Sequence, residues 1–327
     1  MQAGSTFLNQ PIQPLKIKFT MTNHLFLFIS FTALVACEPK MKVDELNAVN
    51  ASTNSDFNKS YWEDGKAEIA VYDLVQNRYN ELHPGKLVSV FVLEDFITDK
   101  QVKNERYISK SSTQVLKNIR ISKFTTGIYD YSLHSTVFTP LNQKQFPTLK
   151  VVNTMQEWCG STFLQLNYEK DVYNVQQRSY FEAEGDRQLT IPSAIIEDAL
   201  MNQIRLDYKA LPLGVFPIIP SLEYIALKHK DLLSVKAEGS ASVYSENDFF
   251  GEELLKYSYR VKSQSRVVEL VFEKAAPHTI VGFKESYPSA FDGEIRTTTA
   301  TLISSERLAY WGMNSLKDAE IRNKIGL

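Results

Sequence analysis

The chain has 327 residues, with 36 lysines and arginines against 38 acidic residues and a formal net charge of −2. That balance, with no basic block or stripe, excludes the electrostatic footprint of a nucleic-acid-binding protein. Two cysteines in such a length exclude a disulfide-stapled scaffold, while 43 % apolar residues are enough for one large core or two modest ones.

The first feature along the chain is the largely apolar run Leu25 to Val35, well short of the about twenty residues needed to cross roughly 30 Å of hydrocarbon. It fits the apolar middle of an export signal, with residues 1–36 as leader and Ala36 as the small residue before the cut. Lys16 and Lys18 supply upstream positive charge if translation starts at Met1, whereas a start at Met21 leaves only His24. Leu34-Val35-Ala36-Cys37 resembles a bacterial lipobox, which implies that Cys37 carries a lipid, becomes the first mature residue and holds the chain on a membrane of the cell envelope. Residues 40–59, rich in Asn, Ser and Asp and without a sustained period, read as a flexible tether with a mean reach of about 25 Å.

Residues 60–327 read as a β-rich envelope domain. "AEIAVYDL" (67–74) and "LVSVFVLED" (87–95) alternate as strands of a hairpin, with the turn expected at Pro84-Gly85. "VLKNIRISKF", "GIYDYSLHSTVF", "LKVVNTMQEW" and a hairpin closing at Glu169 to Asp171 continue the pattern. Their close spacing favours antiparallel neighbours, because parallel pairs need a long crossover. In "IPSAIIEDALMNQIRLD" the residues Ile195, Ile196, Ala199, Leu200 and Ile204 recur at helical spacing, which predicts a helix starting at Pro192 or Ser193. The prolines of "LPLGVFPIIPS" predict irregular chain over 211–221, where two subdomains could divide. Strands are expected again in "LEYIALKHK", "LLSVKAEGSASVYS", "LLKYSYRVKS", "RVVELVFEK" and "EIRTTTATLIS", then a short C-terminal helix with Ser315 and Asp318 in capping-box spacing. The expected fold is mostly β (α+β): curved antiparallel sheet, half-barrel-like, with one packed helix and a short C-terminal helix.

At "TGIYDYS" (126–132), "MQEWCG" (155–160), "SYFEAEGD" (179–186) and "LPLGVFPIIPS" the chain resembles a group of bacterial lipoproteins that carry the label septum formation inhibitor Maf. The likeness runs from about Trp62 to Ser221, and no catalytic role comes with these motifs. Maf proteins proper are cytoplasmic nucleotide pyrophosphatases with an Arg-Arg signature; this chain has no Arg-Arg pair, so that activity does not carry over with the label. Residues 266–287 are similar to the C-terminal hairpin of periplasmic half-barrel proteins of the lipoprotein-carrier type.

Among candidate chemical groups, Cys159 stands out as a nucleophile, with His134 or His229 as base and Glu157 as the orienting carboxylate. The simpler alternative is a buried cysteine packing beside Trp158. The histidines His83, His134, His229 and His278 are scattered singly, with no H-E-x-x-H or C-x-x-C pair, so neither metal nor cofactor is expected. Glu182, Glu184 and Asp186 read as a cation or acid/base site or, more simply, as a solvated loop. Tyr129, Tyr131, Tyr180, Phe181, Tyr257 and Tyr259 read as a sugar- or lipid-stacking set or as cross-strand aromatic pairs.

The resulting expectation is a non-enzymatic, membrane-anchored bacterial envelope lipoprotein whose concave sheet binds an apolar ligand or a protein partner. One alternative is a Cys159-dependent hydrolase or acyltransferase. Another is a structural assembly subunit, which should expose an apolar patch rather than a pocket.

Overall fold

The computed structural model describes residues 57–143 and 147–327; the leader, Cys37 and nearly all of the tether lie outside the described residues. The chain begins with a one-turn helix α1 (Lys59–Trp62), followed by β1 (Ala67–Arg78), β2 (Glu81–Ile97), β3 (Val102–Lys103), β4 (Ser112–Thr126), β5 (Tyr129–Pro140), β6 (Lys150–Glu157), β7 (Gly160–Glu169), β8 (Val172–Ser179), β9 (Arg187–Pro192) and β10 (Ile195–Ile196). Helix α2 (Leu200–Asp207), β11 (Gly214–Ile219), helix α3 (Leu222–Lys228), β12 (Val235–Val243), β13 (Leu254–Val261), β14 (Arg266–Glu273), β15 (Ile280–Pro288), β16 (Ile295–Leu308) and helix α4 (Ala319–Lys324) complete it.

All sixteen strands belong to one sheet, ordered β10-β11-β12-β13-β14-β15-β16-β1-β2-β4-β5-β6-β7-β8-β9, with β3 beside β2. Among the described strands only β10 and β11 are parallel. The two edges, β9 and β10, are joined by just Ser193 and Ala194, and three Cα steps reach at most about 11 Å. The sheet is therefore bent right round until its edges approach, yet no ladder closes it.

The concave side is filled. Helix α3 puts Leu222, Tyr224, Ile225 and Leu227 into one core with Tyr72, Leu133, Met155, Leu164 and Tyr173 from the strands. Helix α2 puts Leu200, Met201, Ile204 and Leu206 into a second with Phe91, Leu116, Phe216, Tyr257 and Phe272. On the convex side Ile325, at the end of α4, covers Ile69, Val71, Val90 and Val92, so β1 is buried on both faces over its first half.

Four expectations are corrected. The turn between β1 and β2 is at Tyr79 and Asn80, not at Pro84-Gly85, which lie inside β2 opposite Val75 and Leu74. β4 pairs with β2 only from Gly85 onward, so the missing proline N–H falls where no second partner is present. The helix begins at Leu200, because Ile195 and Ile196 pair with Ile218 and Ile219 as β10. Residues 214–219 are a strand; β10 reaches only Ile218 and Ile219, which leaves Pro217 on an unpaired edge where its ring is tolerated. "LEYIALK" is helix α3 rather than a strand, with the Ser221 hydroxyl accepting from the Glu223 amide and His229 closing it at φ +50°. The C-terminal capping box of Ser315 and Asp318 is present, over a single 3-10 turn that leads into α4.

Candidate functional site

Cys159 is exposed in the β6–β7 turn, and neighbouring Trp158 is 70 % exposed, so the packed-cysteine alternative does not describe this thiol. Its amide donates to the Glu157 carboxylate (2.7 Å). A hydrogen bond from the thiol to Glu157 and the carboxylate charge push the thiol pKa up, opposite to the lowering that activates a nucleophile. His134 is on β5, in register with Thr154, and about 10 Å of β6 runs from there to Glu157 before the turn that carries Cys159. Its pKa is lowered by desolvation and by Lys117. His229 follows α3, where Nδ1 meets Glu184 (2.6 Å) and the ring meets Phe181 edge-on at 4.7 Å. Glu184 also accepts from the Ser179 hydroxyl (2.6 Å), so this carboxylate of the "EAEGD" loop serves to hold the loop on α3. The fold thus gives Cys159 the carboxylate as its neighbour, while each histidine has other partners. Alkylation of Cys159 is expected to be slow at pH 7.5 despite full exposure, and Glu157→Gln should speed it and move the rate–pH curve to lower pH. Equal rates in the two proteins would refute this electrostatic account.

Inside the sheet a cavity of about 60 Å³ is lined by charged side chains that the sequence reading did not single out. Arg120 of β4 pairs with Asp198, which also accepts from the Ser221 hydroxyl (2.9 Å) and the Leu222 amide (2.8 Å). Arg266 of β14 meets both oxygens of Glu197 and donates through Nε to Glu285 (2.5 Å), with Tyr224 packed 4.2 Å from its guanidinium. Burial is the largest influence on Glu223 and Glu285 and raises both carboxyl pKa values; it also pushes Tyr224 up to about 12. The space suits a few water molecules rather than an organic ligand, since ligand pockets run to about 300–1,000 Å³. Among the described residues no group of three or more His, Cys, Asp or Glu side chains could hold a metal ion.

The third feature is at one end of the sheet. The antiparallel order brings the β1–β2, β4–β5, β6–β7, β8–β9 and β15–β16 connections to the same end. Four large apolar side chains there face outward: Ile128 (82 %), Trp158 (70 %), Tyr180 (78 %) and Phe291 (69 %). Two of them are linked in a row. Phe291 meets Tyr79 edge-on at 5.4 Å, the Tyr79 hydroxyl shares hydrogen bonds with those of Tyr129 (2.6 Å) and Tyr131 (2.8 Å), and Tyr129 lies 6.3 Å from Trp158. Tyr180 sits on Gly160, where any Cβ would press into its ring at 2.9 Å. Arg78 supports the row from below, donating to the Tyr131 hydroxyl and to the Leu227 carbonyl at the end of α3. Of the sequence candidates, Tyr129, Tyr131, Tyr180, Phe181, His229 and Cys159 meet at this rim; Tyr257 and Tyr259 are core residues under α2. Beside the rim an open groove of about 360 Å³ is lined by Gln156, Phe163, Arg178, Tyr180 and Asp186.

Among the described residues no helix is long and apolar enough to cross a membrane. Comparison with known protein families, with curated proteins and with solved structures finds no match to this chain.

Proposed function

We propose that this chain is a non-enzymatic bacterial envelope protein, anchored through a lipid on Cys37, that engages its partner with the aromatic rim. The observation that carries this reading is the set of four exposed apolar side chains on separate turns, two of which, Phe291 and Trp158, are joined through Tyr79, Tyr129 and Tyr131 above Arg78. A preorganised set of this kind loses little side-chain freedom on binding, and aromatic anchors dominate recognition surfaces. The concave face, expected to bind an acyl chain, retains only about 60 Å³ beside α2 and α3. An apolar ligand or partner therefore has more to gain at the rim than inside. The lipobox-like Leu34–Cys37 and the likeness to the Maf-labelled lipoproteins support the anchor.

The reading is tested in intact cells by photo-crosslinking from a benzophenone side chain placed at position 158 or 291, with position 102 on the short strand β3 as control. Discrete adducts are expected from the two rim positions and none from the control. Adduct patterns indistinguishable from the control at both rim positions would remove the rim as the binding surface. Labelled palmitate should enter the native chain and not Cys37→Ser; labelling of both would remove the anchor.

A further inference from the structure

We infer that the aromatic rim docks on a lipid bilayer, taking the zwitterionic headgroup layer as its ligand and placing Ile128, Trp158, Tyr180 and Phe291 at the acyl boundary. This rests on the rim being the binding surface, as proposed above, and adds what it binds. Three observations favour a bilayer over a protein partner.

The first is shape. The four side chains are the tips of separate turns and each is at least 69 % exposed, so they project singly instead of lining one desolvated pocket of the kind that holds protein hot spots. The second is chemistry: an indole, a phenol, a phenyl and a branched aliphatic combine apolar bodies with two polar handles, the pattern of side chains that settle at a membrane–water interface.

The third is charge. Arginines near the tips are paired with carboxylates: Arg296 with Asp292 (2.6 Å), Arg187 with Asp231 (3.2 Å) and Arg178 with Asp186 (3.8 Å), while Glu157 adds a carboxylate beside Trp158. Asp292 is lowered to about 2 by its hydrogen bond from Arg296, so that pair stays ionised across the physiological range. With its arginines held by carboxylates the rim has no polybasic field to attract anionic lipid, and it offers both signs of charge to headgroups that carry both.

The chain length outside the described residues allows this arrangement. Phe57 packs in the core that also holds Trp62 and Phe91, near the start of β1, so the tether joins the end opposite the rim. β1 spans about 36 Å between the two ends, and a chain of 20 residues, the length from Cys37 to Phe57, can span at most about 66 Å. A lipid on Cys37 and the rim can therefore enter one bilayer, giving the two attachments that stable anchoring requires.

The test uses the full chain carrying Cys37→Ser, so that no acyl chain contributes, together with Trp311→Phe, which leaves Trp158 as the one exposed indole beside buried Trp62. The probe is phosphatidylcholine vesicles with brominated acyl chains. Trp158 emission is expected to shift to the blue and be quenched, with little change at about 0.5 M NaCl. Phe291→Ala and Ile128→Ser should each weaken vesicle partitioning by about tenfold, as expected for half-burying a large apolar side chain. Both positions are exposed, and unchanged circular dichroism will show that the fold is kept. Absence of quenching would overturn the inference, as would quenching that survives both substitutions. If quenching is absent while positions 158 and 291 crosslink to protein, the rim remains the binding surface and only its lipid ligand is lost.

Discussion

Arg266→Leu is expected to lower the unfolding free energy by about 3–5 kcal/mol at pH 8 and by distinctly less at pH 5. The guanidinium is buried between Glu197 and Glu285, and its removal leaves two carboxylates facing each other in the cavity with no cation between them. Burial already raises the Glu285 carboxyl, and Arg266 is the main opposing influence, so the substitution raises it further. A carboxyl whose folded pKa lies above its unfolded value favours the folded state when protonated. Its contribution is full below the ordinary carboxyl range near 4.3 and is lost as pH rises through the folded value. The penalty of Arg266→Leu must therefore grow from pH 5 to pH 8, and adding Glu285→Gln should recover part of it at the upper end. Urea denaturation at three pH values decides the matter. A penalty independent of pH would mean that packing around Tyr224, rather than charge, sets the cost.

Arg205→Met should cost a comparable amount, about 3–5 kcal/mol, for a related reason in a drier place. Arg205 on α2 is fully buried, pairs with Glu68 of β1, donates to the His278 carbonyl (3.1 Å), and lies 5.2 Å from the rings of Trp62 and Phe91. Glu68 also accepts from the Tyr61 hydroxyl, so α1, β1 and α2 converge on one carboxylate. Removing either charge strands the other away from water. Replacing both, as Glu68→Leu with Arg205→Met, removes the desolvation cost along with the attraction and should restore at least half of the loss. Thermal and urea unfolding of the two single variants and the double variant give the coupling energy directly. Additive penalties would show that Arg205 acts through its contacts with Trp62, Phe91 and the His278 carbonyl and not through Glu68.

The strand content was readable because a hairpin meander writes its information locally. "LKVVNTMQEW" and "STFLQLNYE" alternate as β6 and β7, and both close in register at the Trp158–Cys159 turn. Ser315 and Asp318 likewise announced the C-terminal turn by their spacing. "LEYIALK" was ambiguous because a short apolar run suits a buried helix as well as a buried strand; the usable signals were Ser221 ahead of it as an N-cap and the left-handed His229 behind it. Of the candidate site, Trp158, Cys159, Tyr180 and the paired tyrosines could be picked out as unusual residues, but their meeting at one rim could not. They come from turns up to 212 residues apart, between Tyr79 and Phe291 (291 − 79).

The cavity shows the same division on β4. Its alternation is plain, yet the face turned inward carries Asn118, Arg120 and Ser122 between Leu116 and Phe124. Read alone, such a face resembles a solvated one. Which segments extend, which turn, and that the strands pair as neighbours are written locally, since alternation, capping and turn chemistry act over a few residues. Which face points inward, which arginine meets which carboxylate, and which apolar tips are left together in solvent were decided only by the tertiary structure. Those outcomes depend on a sheet bent far enough to bring β9 back to β10 and to fold α2 and α3 against its concave side. That curvature arises from all sixteen strands together and is encoded in no single one of them.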